Sequence, residues 1–236
     1  SYELAKQGAK VAVHWHRTSP ETGSEVEESL VQRIKALGSE VVHFQGDLND
    51  EEQVRQLVAN TAAALGGLDI LVNNVGDMVR RQPLAGMEYA FFQEVMDVNV
   101  KTMLTVTREA LPYLAKAQGA SVVNLSSLAG RKGGAGGSLA YSTAKGAVVT
   151  FTRALAAEVA AQGIRVNCVA PGLILNTKFH ATYSSAEAIQ NTIAGIPLGR
   201  AGAPEDVARA VAFLASEYDG FITGVSLDIN GGVYMA

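Results

Sequence analysis

The sequence has little of what secreted, membrane-spanning or nucleic-acid-binding proteins require. It contains one cysteine among 236 residues, so a disulfide within the chain is impossible, which fits a reducing compartment. No run of about 18 uncharged apolar residues occurs, and the opening SYELAKQGAK lacks the apolar core of a signal peptide. No cluster of lysine and arginine is larger than two adjacent residues, and the net charge is -4. A basic surface that binds nucleic acid is therefore not expected. We therefore expect a cytoplasmic protein with neither nucleic-acid nor membrane partners.

What the sequence does contain is a regular alternation of short β-rich runs and longer stretches with helical spacing. The β-rich runs are 10–15, 40–45, 68–74, 120–126, 164–170 and 224–229. They are almost continuously apolar, as expected when helices cover both faces of a parallel sheet. Residues 91–114 and 140–161 are predicted as long helices, and the glycine-rich stretch 130–138 as a loop inside the domain. The pattern predicts a doubly wound α/β fold, mainly parallel, with helices on both faces.

The glycine-rich motif that opens such a fold is missing. Neither G-x-G-x-x-G nor G-x-x-x-x-G-K-[ST] occurs, and residues 1–15 are typical of the end of a helix followed by a second strand. Without the first, central strand, two rows of backbone donors and acceptors would have no partner. Our hypothesis is one domain over residues 1–236, with an N-terminal segment of about 20–25 residues missing from the sequence.

The segment LAYSTAKG (139–146) carries two possible chemistries. Tyr141 and Lys145 lie one helical turn apart, so a phenol and an ammonium could share a site. The overlapping S-x-x-K at 142–145 is a motif of serine acyl enzymes, but its S-D-N and K-T-G companions are absent. A lone Y-x-x-x-K is weak evidence because chance produces such pairs often. The phenol and ammonium pair is favoured only if other motifs support it.

Further motifs do so, and together they resemble the short-chain dehydrogenase/reductase family. The resemblance includes members such as the 3-oxoacyl-acyl-carrier-protein reductases. The segments that carry it, in the family's order, are NNVG (73–76), DVNV (97–100), VNLSS (123–127), YSTAK (141–145), VAPGLI (169–174) and ITGVSLDINGG (222–232). Val75 stands where the family usually has alanine. The resemblance implies a Rossmann-like fold and hydride transfer between a nicotinamide cofactor and a carbonyl or secondary alcohol.

The catalytic set implied by this resemblance is Asn99, Ser127, Tyr141 and Lys145. Tyr141 would give a proton to the carbonyl oxygen, and a nearby Lys145 ammonium would lower the pKa of the phenol. Ser127 would hydrogen-bond the substrate oxygen. By resemblance, Asn99 would support a water chain to Lys145, which would also hold the nicotinamide ribose. Ser126 and Ser138 are alternatives for the serine, and Ser138 is more typical of a helix N-cap.

By resemblance, the expected cofactor-binding residues end or follow predicted strands, except for Tyr141 and Lys145, which lie on the predicted helix 140–161. They are Arg17, Thr18, Asp47, Leu48, Asn74, Gly76, Tyr141, Lys145, Pro171, Gly172 and Ile174. No acidic residue follows the second strand until Glu21, so Arg17 and Thr18 favour the 2′-phosphate of NADP over NAD. Asp47 could instead cap the next helix.

The remaining expectations concern the histidines, the cysteine, the substrate and the oligomeric state. His14, His16 and His43 show no metal-ligand grouping, and His43 in a strand is more typical of a core residue. The buried-looking Cys168 is expected in the core. By resemblance, we expect a small carbonyl or alcohol substrate, with a 3-oxoacyl thioester as the first candidate, under a lid formed by residues 176–199; a surface helix is the alternative for that segment. By resemblance we expect a homotetramer. The alternatives are an NAD-dependent alcohol or sugar dehydrogenase and a non-catalytic dinucleotide-binding sensor or scaffold.

Overall fold

The computed structural model describes residues 1–16, 23–216 and 220–236, in which six strands alternate with helices. The strands are β1 (Val11–Trp15), β2 (Val41–Gln45), β3 (Ile70–Asn73), β4 (Ser121–Leu125), β5 (Arg165–Pro171) and β6 (Ser226–Ile229). The helices are α1 (Tyr2–Lys6), α2 (Gly23–Lys35), α3 (Glu51–Leu65), α4 (Tyr89–Met96), α5 (Thr102–Leu114), α6 (Leu128–Lys132), α7 (Leu139–Val159), α8 (Lys178–Tyr183), α9 (Ala186–Ala194) and α10 (Pro204–Ala215). Each strand falls within, or one residue beyond, a β-rich run of the sequence.

The strands pair in parallel throughout the described residues. β1 pairs with β2, and the other strands form a four-stranded sheet in the order β3-β4-β5-β6. Parallel neighbours need long crossover connections, and here helices supply them. The prediction of a doubly wound parallel α/β fold is confirmed.

Alternation along β4 shows how both faces of the four-stranded sheet are covered. Val122 is fully buried in a cluster with side chains of α5 and α7, whereas its neighbour Val123 is buried in a second cluster with side chains of α10. Successive strand residues point to opposite faces, so a strand with helices on both sides must be apolar at every position. This explains the continuous apolar runs of the sequence. Cys168 on β5 is fully buried, as predicted.

The two sheets are separated by a cavity of about 740 Å³. Its walls include residues 11–14 of β1 and residues 70–73 of β3, together with apolar side chains of α3, α5 and α10. Neither strand has a backbone partner on this side within the described part of the chain. The cavity reaches the carboxyl ends of both strands, at His14 and at Asn74.

Three local predictions from the sequence are corrected by the structure. The predicted helix 91–114 is interrupted by a π-helical turn over Asp97–Lys101. The predicted loop 130–138 begins inside α6, so only its later part is a loop. His43 is exposed on β2 and stacks on Trp15 of β1 with ring centroids 5.0 Å apart, so it is not a core residue.

No helix in the described ranges is both long and apolar enough to cross a bilayer.

Candidate active site

The site lies where the carboxyl ends of β3, β4 and β5 meet. The parallel register places Asn73 beside Asn124, and Leu125 beside Val169. The segments that leave these strands therefore start next to one another. This edge is where ligands bind in open parallel α/β sheets. The motif residues of NNVG, VNLSS and VAPGLI are brought together in this way, although they are far apart in the sequence.

Lys145 occupies the centre of this edge. Its side chain is 4% exposed, and Nζ donates a hydrogen bond to the carbonyl oxygen of Leu125 at 2.9 Å. Burial lowers the pKa of the ammonium to about 8 because removal from water disfavours the charged form. At neutral pH the group still carries its charge, held at the end of β4.

Tyr141 lies one turn earlier on the same helix, with its ring centroid 5.8 Å from Lys145 Nζ. The side chain is 8% exposed. Burial raises the pKa of the phenol to about 12, opposed by a hydrogen bond with Ser127 and reinforced by the charge of Asp77. We expected the ammonium to lower this pKa, and that expectation is wrong for this structure. The cost of removing the phenolate from water outweighs the hydrogen bond from Ser127, which favours the phenolate. The phenol therefore stays protonated at neutral pH.

The two adjacent serines after β4 point in different directions. Ser126 Oγ is buried and donates to the backbone oxygen of Lys145 at 2.8 Å. Ser127 is the N-cap of α6, where Oγ accepts from the backbone nitrogen of Ala129 at 3.1 Å, and it is the serine that reaches Tyr141. Ser138 does precede α7 but makes no side-chain cap; its hydroxyl donates to the backbone oxygen of Ala135 at 2.6 Å.

Asn99 lies in the π-helical turn and is 1% exposed. Nδ2 donates to the backbone oxygens of Asp77 and Val95 at 2.7 and 2.8 Å, which leaves Oδ1 buried without a partner among the described residues. Such π-helical turns are frequent at functional sites. A buried acceptor without a partner is costly, so Oδ1 is available to a ligand or to water.

Gly76 shows that a ligand can approach this point closely. A Cβ at Gly76 would lie 2.6 Å from both Asn99 Oδ1 and Lys145 Nζ. Only glycine leaves the space beside these two polar atoms open. A ring that carries hydroxyl groups, such as the ribose of a nicotinamide cofactor, could bind here. Its hydroxyls could hydrogen-bond the ammonium and the amide oxygen, and the bare backbone of Gly76 leaves room for it. The residues present therefore fit that group.

The other residues predicted to bind the cofactor differ in their exposure and contacts. Asp47 is not the N-cap of α3, because Asp50 accepts from the backbone nitrogens at the start of that helix. Asp47 Oδ1 instead accepts from Asn49 N at 2.9 Å, with the side chain 43% exposed. Leu48 is buried in the core and also lines the cavity between the sheets. Asn74 is exposed at the end of β3 and lines the cavity between the sheets.

After β5 the backbone turns tightly. Pro171 ends the strand, and a Cβ at Gly172 would lie 3.0 Å from the Asn230 side chain. The side chain of Ile174 is buried against Gly202, so a cofactor contact here would involve backbone. Arg17 and Thr18 lie outside the described residues.

Sequence reasoning missed Asp77, which directly follows NNVG. Its backbone oxygen accepts from Asn99, and Oδ1 accepts a hydrogen bond from the Tyr183 phenol at 2.8 Å. Its position after the motif was the available signal, but its partner comes from a segment about a hundred residues away.

A parallel α/β sheet that holds a buried tyrosine, lysine and asparagine and a half-buried serine at its carboxyl edge defines the class of nicotinamide-dependent oxidoreductases. Comparison with known proteins identifies the family. Residues 1–234 match a family model described as enoyl-(acyl carrier protein) reductase. The 3-oxoacyl-(acyl-carrier-protein) reductase of Staphylococcus aureus strain Mu50 is 34% identical over 233 residues, 99% of this chain and 91% of that protein. The acetoacetyl-CoA reductase of Cupriavidus necator is 34% identical over 235 residues, 98% of this chain and 91% of that protein.

A solved structure agrees with these relatives. The NADH-dependent reductase A1-R′ responsible for alginate metabolism superposes with a TM-score of 0.87 at 29% identity, covering 100% of this chain and 91% of that one. The chain belongs to the short-chain dehydrogenase/reductase family, and it is an oxidoreductase that acts on carbonyl and alcohol groups.

Proposed function

We propose that residues 1–236 act as one domain that reduces a 3-oxoacyl thioester to the 3-hydroxyacyl thioester with NADPH. The observation that carries this proposal is the protonated Tyr141 phenol, which Ser127 contacts and whose pKa is about 12. A group that keeps its proton at neutral pH suits the reductive direction, in which the carbonyl oxygen must gain a proton. Two relatives at 34% identity are named for reductions of this substrate class.

Each residue of the set has a defined task in this proposal. Ser127 donates a hydrogen bond to the carbonyl oxygen, where negative charge develops. Tyr141 transfers its phenolic proton to the same oxygen. The Lys145 ammonium, anchored on Leu125, stabilises the phenolate that remains. Asn99 Oδ1, the buried acceptor, would bind the water through which the phenolate regains a proton.

The cofactor supplies the hydride when it is bound. Lys145 and the bare backbone of Gly76 would hold its ribose, and Asn74, Asp47 and the backbone after Pro171 would hold its other parts. NADP is favoured by Arg17 and Thr18, which follow β1 in the sequence at the position where an acidic residue would select NAD. The alternative is an NAD-dependent alcohol or sugar dehydrogenase, and the structural relative is itself an NADH-dependent reductase.

We also propose that the enzyme is a cytoplasmic homotetramer. Its single cysteine suits a reducing compartment. Large apolar side chains are exposed around β6 and the end of α10; they are Phe213 (49%), Phe221 (103%), Val225 (38%) and Leu227 (37%). Such a patch indicates an interface. Light scattering should give four times the chain mass of 24.7 kDa, and a monomer would contradict the proposal.

The decisive experiment titrates the purified protein with NADPH and NADH by fluorescence, then measures reduction of acetoacetyl-CoA. Saturation by NADPH at lower concentration than NADH, with turnover, supports the proposal. Tighter NADH binding with turnover of alcohols supports the alternative dehydrogenase. Binding without turnover of any carbonyl compound would indicate a sensor or scaffold. Crotonyl-CoA tests enoyl reduction, the activity in the family model's description.

Tyr141→Phe provides the matched catalytic control. Because it removes only the proton donor, turnover should fall by about 10²–10⁴-fold while NADPH affinity changes little. Tyr89→Phe removes a hydroxyl from a side chain that is 77% exposed on α4 and should leave both quantities unchanged.

A further inference from the structure

Three aromatic rings connect the candidate acid to the end of α8. The ring centroid of Phe179 lies 5.4 Å from that of Tyr141. Tyr183 packs its edge on Phe179 with centroids 5.1 Å apart. Phe179 thus contacts the ring of Tyr141 directly. Under the proposed function, a substituent on the carbonyl that Tyr141 protonates would have to fit beside this phenyl group.

A hydrogen bond anchors the far end of this row. The Tyr183 phenol donates to Asp77 Oδ1 at 2.8 Å and lies 3.3 Å from the backbone oxygen of Val79. The pKa of Tyr183 is raised to about 12 by burial and by Asp77, so the donor keeps its proton at neutral and moderately alkaline pH. α8 is therefore attached to the loop that follows β3.

That loop is itself held in an unusual conformation. Val79 has a φ of 65°, which is rare for a β-branched residue. Arg80 N donates to the backbone oxygen of Met78 at 2.7 Å across it, forming a strained γ-turn. Asn99 Nδ2 holds the start of the loop through the backbone oxygen of Asp77. Strain of this kind persists where surrounding contacts impose it, and it concentrates at functional sites.

A second contact joins the same loop to α8. Arg81 Nε donates to the backbone oxygen of Tyr183 at 3.3 Å, and Nη1 donates to Gly136 O at 3.1 Å. The loop after β3, the loop before α7 and the end of α8 therefore meet at Arg81. These contacts fix the position of Phe179, because they hold α8 through both the hydroxyl and the backbone oxygen of Tyr183.

We propose that Tyr183 is a positioning residue and Phe179 a specificity-determining residue of the reaction. The Tyr183–Asp77 hydrogen bond holds the Phe179 ring on Tyr141, and this ring limits the reacting carbonyl to a small substituent such as methyl. This inference rests on the proposed carbonyl reduction and adds the substrate subclass: methyl ketones, including acetoacetyl thioesters, are preferred over ketones with a bulky group at that position.

The test compares two ketones that differ only at this substituent, ethyl acetoacetate and ethyl benzoylacetate. We expect the wild type to prefer the acetoacetate. Phe179→Ala should raise the ratio of kcat/KM for benzoylacetate over acetoacetate at least tenfold, because it frees the volume of a phenyl ring. Tyr183→Phe should raise it several-fold, because the ring is released but not removed. Asp77→Asn, which keeps an acceptor oxygen, should preserve the wild-type ratio, and Tyr89→Phe is the control. An unchanged ratio in Phe179→Ala or Tyr183→Phe overturns the proposal.

Amide hydrogen exchange tests the hydrogen bond without relying on activity. In the protein without added ligand, Tyr183→Phe should speed exchange in peptides covering 178–194 by roughly three- to tenfold, the effect of losing one hydrogen bond. Tyr89→Phe should not. Unchanged exchange in Tyr183→Phe overturns the positioning role even if the enzyme is active. Faster exchange in a protein that reduces neither ketone would show that the contact exists and that the proposed reaction has failed.

Discussion

The Lys145 ammonium donates to the backbone oxygen of Leu125 at 2.9 Å. This bond joins α7 to the last residue of β4, and it holds the ammonium at the carboxyl edge of the sheet without help from a ligand. Preorganised charge of this kind is effective in catalysis because it needs no reorganisation during the reaction. The same burial gives Lys145 a titration near neutral pH, which makes its role measurable.

The pH dependence of ketone reduction should follow the protonation state of Lys145. Its pKa is lowered to about 8 by burial, so the ammonium loses its proton as the pH rises through about 8, while Tyr141 with a pKa of about 12 remains protonated. We expect kcat/KM to fall above pH 8 in a full pH profile. Lys145→Arg keeps its charge, so any activity it retains should not decline between pH 7 and 9. A wild-type profile that is flat to pH 10 would exclude this role.

The two serines after β4 should separate catalysis from stability. Ser127→Ala removes the contact to Tyr141 and should lower kcat by about 10²–10³-fold. Ser126→Ala leaves the Lys145 backbone oxygen without its side-chain donor and should lower the free energy of unfolding by about 1–3 kcal/mol. Steady-state kinetics and urea unfolding of both variants test this. If Ser126→Ala lowers kcat and Ser127→Ala lowers only the stability, Ser126 is the catalytic serine.

Gly76→Ala should impair cofactor binding. The new Cβ would lie 2.6 Å from Asn99 Oδ1 and from Lys145 Nζ, so one of these polar atoms must move away from the proposed ribose position. We expect NADPH affinity to fall at least tenfold in a fluorescence titration. Gly86→Ala is a suitable control, because its Cβ would have no neighbour within 4 Å. Wild-type affinity in Gly76→Ala would place the ribose elsewhere.

Gly130 and Gly146 offer a matched pair for helix packing. A Cβ at Gly130 would lie 2.5 Å from the backbone carbon of Lys145 and 2.7 Å from the nitrogen of Gly146, so α6 and α7 would have to separate. Gly130→Ala should therefore lower the free energy of unfolding by about 1–3 kcal/mol. A Cβ at Gly146 meets its nearest atom at 3.6 Å, and Gly146→Ala should stabilise by about 0.5–1 kcal/mol because alanine favours a helix. Equal effects in urea unfolding would contradict the close approach.

Some of the fold could be predicted because local sequence carries its cause. The strand residues Val122 and Val123 are both apolar because both faces of β4 are covered, and this produces a run that is visible in the sequence. The π-helical turn around Asn99 could not be predicted in this way. Its residues continue an ordinary helical pattern, and its distinguishing contact is a hydrogen bond to Asp77, twenty-two residues earlier.

The order of the motifs along the chain and the one-turn spacing of Tyr141 and Lys145 were determined by the sequence itself, because helical periodicity and residue chemistry are local properties. Only the tertiary structure decided that the Tyr141 phenol has a raised pKa, that Ser127 and not Ser126 faces it, and that Phe179 packs on its ring while Tyr183 packs on Phe179. Burial and the direction of neighbouring side chains depend on residues brought together from distant strands and helices. No spacing within the sequence encodes those contacts.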